Sequence, residues 1–382
     1  MLVPKNIDIT PGNIHQRTPL YIGSKTMMEV YEIAYSRIIV KIGSNVLTKP
    51  DGLPDTGRME QLVAEMAAIR KSGMELILVS SGAVASGRSL IKIDESLNPV
   101  AARQLLASVG QVRLINTYAQ LFGAHNQLCS QVLVTKEDFR DRQHYRNMQG
   151  CLEILLQHGV IPIVNENDVV SVTELMFTDN DELAGLVASM LGAQALVILS
   201  NVDGIYNGNA IMETIHAGTS LEQYITTSKS SFGRGGMLTK ASMAQQVAKL
   251  GVTVHIANGR QEGILTGVLN GTIPHTRFIP QKAASGKKRW IAHAGQSAKG
   301  SIHINEGALR ALTSSQATSL LPVGVTGITG DFKKGDIVRI LNAAGAEVGL
   351  GIAEYHADKA KEITGQHNQR PLVHYDYLYM KL

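Results

Sequence analysis

From Arg37 onward the chain alternates short, largely β-branched apolar runs with longer stretches of helical periodicity, and few architectures accept that alternation. Ile38–Ile42, Leu76–Val79, Gln131–Val134, Ile161–Val164, Ala195–Leu199 and Val252–Ala257 read as strands, each too short for an ordinary helix. Between them apolar residues recur at helical spacing. Met59, Leu62, Val63, Met66 and Ile69 form one such stripe, and Leu105, Leu106, Val109, Leu114, Tyr118 and Leu121 another. Tyr145–His158, Glu182–Leu191 and Lys240–Leu250 continue the pattern. Gly73 is placed to stop the first helix, and Gly110 to break or bend the second. Strands alternating with helices imply an α/β fold: a mainly parallel sheet with helices on both faces, spanning 37–280.

The character then changes. "QKAASGKKR", residues 281–289, is small, polar and basic, and reads as a linker. From 290 to 382, runs such as "SIHI", "SLLPVGVTGITGDFKKGDIVRILN" and "EVGLGIAEY" are cut by glycines and charged turns, as in a small β-rich domain. Residues 1–36 carry no continuous apolar core of a signal peptide and read as an extension, with Met27 and Met28 as alternative starts.

Composition narrows the class. A chain of 382 residues exceeds one ordinary core, and 44% apolar with 18% charged residues is a soluble globular balance. No run is long enough to span a bilayer, and a net charge of +4 is too mild to imply a general nucleic-acid footprint. Cys129 and Cys151, the only cysteines, provide neither a disulfide framework nor a zinc cluster. They suit a reducing cytoplasm, and each reads as a buried structural thiol. The twelve histidines show no HExxH or similar ligand spacing.

Sheets of this kind bind ligands at the carboxyl ends of their strands. Small or charged residues follow strands there: Lys41-Ile42-Gly43-Ser44-Asn45, Ser80-Ser81-Gly82-Ala83 and Asn165-Glu166-Asn167-Asp168. Asp179-Asn180-Asp181 opens a helix. Each alone reads as a turn or cap, but together they crowd one sheet edge. In "SSFGRGGMLTK", Gly233, Gly235 and Gly236 precede a helix and Lys240, an arrangement suited to an anion. The chain lacks GxxxxGK[ST], GxGxxG and GxSxG, so P-loop, dinucleotide and hydrolase-elbow sites are disfavoured.

Two lysines approaching from different sides suit phosphoryl transfer, whose physical demand is to hold phosphates and neutralise the moving charge. Asp179 and Asp181 could position the lysines or hold Mg²⁺, and Asn180 could bind an acceptor. No general base stands out. None is needed by a carboxylate nucleophile, which with a pKa near ~4.3 is already ionised at neutral pH.

"VKIGSNVLT", "VSSGAVASGR", "NENDVV", "DNDELAGLVA" and "GRGGMLTK" together resemble the amino-acid kinase family. The resemblance runs from about Arg37 to the end. "KRWI", "INEGA", "SLLPVGV" and "GDFKKGDIVRI" look like the PUA domain appended to family members that phosphorylate glutamate. It implies ATP-dependent phosphorylation of the L-glutamate side-chain carboxylate to L-glutamyl 5-phosphate, the first step of proline biosynthesis. Carried over by position, Lys41 and Lys240 match the lysines on the ATP phosphates, and Asp181 the aspartate that orients them. Ser81, Asp168 and Asn180 match glutamate-binding positions, with Asn165 and Asp179 as neighbours. Gly43, Ser200, Asn201, Arg234, Gly235, Gly236, Met237, Leu238 and Thr239 fall on the nucleotide side.

Two positions depart from the family pattern. Ser200-Asn201 stands where Thr-Asp is common, and Arg234 where the nucleotide loop often has threonine, so altered ATP contacts are expected. The resemblance further implies Mg²⁺ bridging phosphates without a dedicated protein site, and a cytoplasmic homo-oligomer, dimer or tetramer. Feedback inhibition by proline and functional coupling to glutamyl phosphate reductase belong to the same expectation. An RNA-binding role for the PUA-like domain is disfavoured despite Lys287, Lys288, Arg289, Lys333 and Lys334. Trp290 is the only tryptophan, and no aromatic–basic interleaving is present to stack bases.

Overall fold

The computed structural model describes residues 35–381 apart from 94–95, 172–176, 178, 217–218, 222–235 and 315. Chain order begins with β1 (Arg37–Ile42), α1 (Ser44–Leu47), α2 (Thr56–Lys71), β2 (Glu75–Ser80), α3 (Ala83–Arg88), α4 (Pro99–Gly123) and β3 (Cys129–Val134). It continues through α5 (Lys136–Arg140), α6 (Arg142–Gln157), β4 (Ile161–Glu166), α7 (Asn180–Leu191) and β5 (Ala195–Ser200). Three short strands follow, β6 (Tyr206–Asn207), β7 (Ala210–Ile211) and β8 (Thr214–Ile215), then α8 (Met237–Lys249), β9 (Thr253–Asn258), α9 (Ile264–Leu269) and β10 (Thr276–Phe278).

Among the described residues these strands build an eight-stranded sheet in the order β3-β4-β2-β1-β5-β9-β10-β8. It is parallel from β3 to β9, and the turn into antiparallel pairing comes at β10. The mainly parallel α/β expectation holds. The reversed pair β10 and β8 is too short to leave a periodic signal.

Side-chain alternation decides what each strand offers to each face. Ile38, Val40 and Ile42 of β1 pack with α2, α4 and α9. Ile39 faces the opposite layer, built from α6, α7 and α8. Lys41 shares the face of Ile39, so the period-2 register aims its ammonium at the N-terminus of α7.

Helix α4 runs unbroken through Gly110, contrary to the expected break or bend. That glycine permits close helix contact: a Cβ there would stand 1.8 Å from the Ala83 carbonyl oxygen of α3. Gly87 answers it from α3, where a Cβ would stand 2.1 Å from the Leu106 carbonyl oxygen. The tight α3–α4 contact fixes the loop that carries Ser81.

The C-terminal domain comprises α10 (Gly286–His293), β11 (Gly300–Ile304), α11 (Glu306–Leu312), β12 (Val325–Gly330), β13 (Ile337–Leu341), β14 (Glu347–Ile352), α12 (Ala357–Glu362) and β15 (Leu378–Met380). Its strands form a mixed sheet in the order β12-β11-β13-β14-β15. Residues 286–289 of the expected linker are helical, because the Ser285 side chain accepts from Lys288 N and starts α10. Trp290, Ile291, Ala294, Ile337, Leu350 and Ile352 join the apolar cluster of α6, α7 and α8. The two domains therefore share an apolar cluster at their junction, while the C-terminal domain keeps a separate core around Ile302, Phe332 and Ile340.

Two residues of the expected extension, Tyr35 and Ser36, are tied to the sheet. Tyr35 is buried and its hydroxyl meets His255 Nε2 at 3.1 Å, while Ser36 bonds the Gln194 side chain. Residues 1–34 of the expected extension lie outside the described residues. The two thiols depart from expectation. Cys129 is only half-buried because β3 is an edge strand, and Cys151 is exposed because Leu152 takes the inward position on α6.

Candidate active site

The carboxyl ends of β1, β2 and β5 are stitched together by backbone bonds. Gly43 N donates to the Leu199 carbonyl at 3.1 Å, and Ser81 N to the Ile42 carbonyl at 3.2 Å. A Cβ on Gly43 would lie 3.2 Å from that Leu199 oxygen and 3.5 Å from Lys41 Nζ, so a side chain at this turn would crowd the carbonyl beside the lysine. Gly82, at φ +106°, supplies the left-handed turn that sends the chain from Ser81 into α3.

Asp181, in the first turn of α7, is 1% exposed and bridges both lysines. Its Oδ1 lies 2.5 Å from Lys41 Nζ, and Oδ2 accepts from Lys240 Nζ. Lys41 comes from the end of β1 and Lys240 from the first turn of α8, so one carboxylate ties the sheet to two helices. Burial opposes ionisation of Asp181, but the charges of Lys41 and Lys240 outweigh it and hold the carboxyl below the usual carboxylate range.

Asp179 is the N-cap of α7: its Oδ1 accepts from Asp181 N at 2.9 Å and Glu182 N at 3.1 Å. Burial and the Asp181 charge raise its pKa, against the pull of Lys41 and Lys240. It is thus a cap that also faces the site.

Asn180, between these aspartates, donates through Nδ2 to Ser81 Oγ at 3.0 Å, Asn165 Oδ1 at 3.1 Å and the Ser80 carbonyl at 3.2 Å. Asn165 is held in turn by Gln111 of α4 at 2.9 Å. Ser81, Asn165, Asp168, Asp179 and Asn180 line one cavity of about 530 Å³ between α3, α4 and the loop after β4. The structure therefore brings together every residue expected on the acceptor side.

Sequence reasoning missed Arg103. From α4 it donates through Nε to Asp168 Oδ1 at 2.8 Å and through Nη2 to the same oxygen at 2.5 Å, with Glu166 Oε2 at 3.2 Å. A signal existed. Arg103 stands on the same helical face as Leu106, Ala107, Gly110 and Leu114, all buried, so a cation was already placed on the inward face.

The nucleotide side is described in part. Gly236 is the N-cap of α8, and Met237, Leu238 and Thr239 form its first turn, with Leu238 and Thr239 exposed. Arg234 and Gly235 lie outside the described residues. Ser200 and Asn201 stand at the end of β5, with their side-chain oxygens 3.4 Å apart. A layout with two cations around a buried carboxylate, a helix N-terminus and an amide-lined cavity can hold phosphates against an acceptor.

Comparisons with known proteins identify the family. Residues 36–258 match the Amino acid kinase family, and residues 300–375 match the PUA domain. Glutamate 5-kinase of Bacteroides thetaiotaomicron is 54% identical over 357 residues, covering 91% of this chain and 99% of that protein. Glutamate 5-kinase of Chlorobaculum tepidum is 51% identical over 352 residues, covering 91% of this chain and 98% of that protein. The structure of carbamate kinase from Giardia lamblia bound to AMP-PNP aligns with a TM-score of 0.48 at 18% identity, over 65% of this chain and 99% of that one. With the kinase match covering more than half of the sequence and the relatives nearly all of it, the chain belongs to the amino acid kinase family and carries a PUA domain behind its kinase fold.

Proposed function

We propose that this chain is an ATP-dependent glutamate 5-kinase, transferring the γ-phosphoryl group of ATP to the side-chain carboxylate of L-glutamate and releasing ADP and L-glutamyl 5-phosphate. The observation that carries the reading is the Lys41–Asp181–Lys240 bridge beside the cavity of Ser81, Asn165 and Asn180. Names of relatives matching nearly the whole chain support the choice of glutamate.

The roles follow from geometry. Phosphate oxygens compete for the two ammonium groups that Asp181 holds, and the lysines then neutralise charge on the phosphoryl group as it moves. Asp181 keeps both cations pointed at one place. Asn180, braced by Ser81 and Asn165, positions the acceptor, whose carboxylate needs no base. Asp179 has one oxygen occupied by helix N–H groups, and its other oxygen would be the one to hold a Mg²⁺ brought in with the nucleotide. Such a cation would offset phosphate charge during transfer.

The reading includes a homo-oligomer, for which exposed Leu105, Val112 and Ile154 on α4 and α6 offer apolar contact surface. It also includes inhibition by proline, cytoplasmic location, and hand-over of the labile acyl phosphate to a reductase. Among the described residues no helix is long and apolar enough to cross a membrane.

Hydroxylamine trapping tests the central claim. With Mg-ATP, glutamate should give hydroxamate while N-acetylglutamate and aspartate do not. Product from another acceptor instead of glutamate would reassign the substrate, and no product from folded protein would refute the kinase reading.

A further inference from the structure

The acceptor cavity contains an ion pair that phosphoryl transfer does not use. Arg103 spends Nε and Nη2 on a single oxygen, Asp168 Oδ1. Its Nη1 and Asp168 Oδ2 make no hydrogen bond among the described residues, and both side chains line the cavity with Ser81 and Asn180. Asp168 is buried while Arg103 stays partly open, at 8% and 30% side-chain exposure. Burying an ion pair is a poor source of stability by itself, so a pair on a cavity wall invites a ligand-directed explanation.

We propose that Arg103 and Asp168 form a clamp for a zwitterion, with Arg103 Nη1 taking the α-carboxylate of the acceptor and Asp168 Oδ2 its α-ammonium. The proposal rests on the amino-acid acceptor assigned above and adds Arg103 as a specificity-determining residue. An α-amino acid carries both charges on one carbon, so its recognition requires an anion and a cation a few ångströms apart. The Arg103–Asp168 pair supplies that spacing already assembled, and the guanidinium fork can hold Asp168 with two N–H groups while presenting a third. Asn180 and the lysines remain for the distal carboxylate. An acceptor acylated on its nitrogen leaves Asp168 without a cation, so the clamp also rejects N-acyl amino acids.

Two glutamate analogues separate the charges. Glutarate keeps both carboxylates and lacks the ammonium; 4-aminobutyrate keeps the ammonium and the distal carboxylate and lacks the α-carboxylate. Each is measured as a competitor of glutamate in the hydroxamate assay with the full chain. Arg103→Gln should weaken glutamate and glutarate by about tenfold to a hundredfold, the worth of a charged hydrogen bond, and leave the Ki of 4-aminobutyrate in place. Asp168→Asn should weaken glutamate and 4-aminobutyrate and spare glutarate. The effect of Arg103→Gln should fall on KM more than on kcat, because the reacting carboxylate is elsewhere.

Arg103→Gln removes the cation that pairs with Asp168, and if it does not fold, Arg103→Lys carries the test. That variant keeps the charge, loses the fork, and should show the same selectivity at smaller amplitude. Weakening of glutamate and 4-aminobutyrate with glutarate spared, in either folded variant, means that Arg103 only holds Asp168, and equal weakening of all three means general damage to the cavity; either result overturns the clamp. Failure of the unaltered protein to make any glutamyl hydroxamate would count against the acceptor assignment itself, before any variant is compared.

Discussion

Replacing Asp181 by asparagine tests the centre of the site most directly, because it removes one charge while nearly preserving shape. The carboxylate is 1% exposed, and the lysine side chains it joins are 7% and 11% exposed. Removing one partner of a buried ionic network typically costs about 3–5 kcal/mol, since the remaining charges lose their compensation. The asparagine oxygen can still accept a hydrogen bond from one ammonium group, which favours the lower end. At roughly 2–4 °C per kcal/mol for a domain of this size, the melting temperature should fall on the order of 5–10 °C.

The same argument gives an opposite sign for nucleotide binding. In the unaltered protein, phosphates must compete with Asp181 for the lysines; in Asp181→Asn they replace it. The variant should bind Mg-ATP more tightly, gain more thermal stability from it, and yet turn over far more slowly because its lysines are no longer aimed. Calorimetric titration and melting curves with and without nucleotide measure both effects. A variant as stable as the parent, or one that binds Mg-ATP more weakly, would falsify the account of Asp181 as an internal counter-ion.

The pH dependence has a fixed sign. The folded-state pKa of Asp181 is depressed, so its contribution to stability is complete above the unfolded value of about 3.9 and fades as pH falls below it. The stability gap between parent and variant should therefore narrow only in acid.

Three further perturbations follow from the same geometry. Lys41→Ala or Lys240→Ala should lower kcat by about 10²–10³, as for other groups that stabilise transferring charge, while circular dichroism shows the fold retained; near-normal turnover in both would refute the two-lysine mechanism. Gly43→Ala places a Cβ 3.5 Å from Lys41 Nζ and 3.2 Å from the Leu199 carbonyl oxygen, so it should impair turnover more than thermal stability. Leu350→Ala, in the core shared by the two domains, should cost about 2–5 kcal/mol and lower the melting of the kinase fold too; two separate transitions with only one displaced would show that the domains are energetically independent.

Much of this architecture is legible in the sequence because strand and helix periods differ so sharply. Every strand expected in the parallel part was found with its ends within two residues, and the helix expected at Glu182–Leu191 begins at Asn180, capped by Asp179. The acceptor-side residues were legible for a related reason: each lies at or just past a strand end or opens a helix, and a parallel sheet gathers such positions at one edge. Glycines were harder. A glycine in a helical stripe carries the same local signal whether it bends the helix or admits a neighbour, and only the approach of α3 distinguishes the two at Gly110.

Arg103 and the domain junction show where one-dimensional reasoning stops. The inward position of Arg103 could be read from helical spacing, but its partner is 65 residues away, and pairing at that range is a property of the assembled sheet. The junction is the same problem at larger scale. Lys287 and Lys288 lie at the polar start of α10, whereas Arg289 is half-buried and Trp290 and Ile291 turn inward to the core behind α7. The helix bearing Asp181 is thus backed by residues from the second domain. Part of the rigidity that holds two lysines around one carboxylate comes from a domain that contributes none of those three side chains.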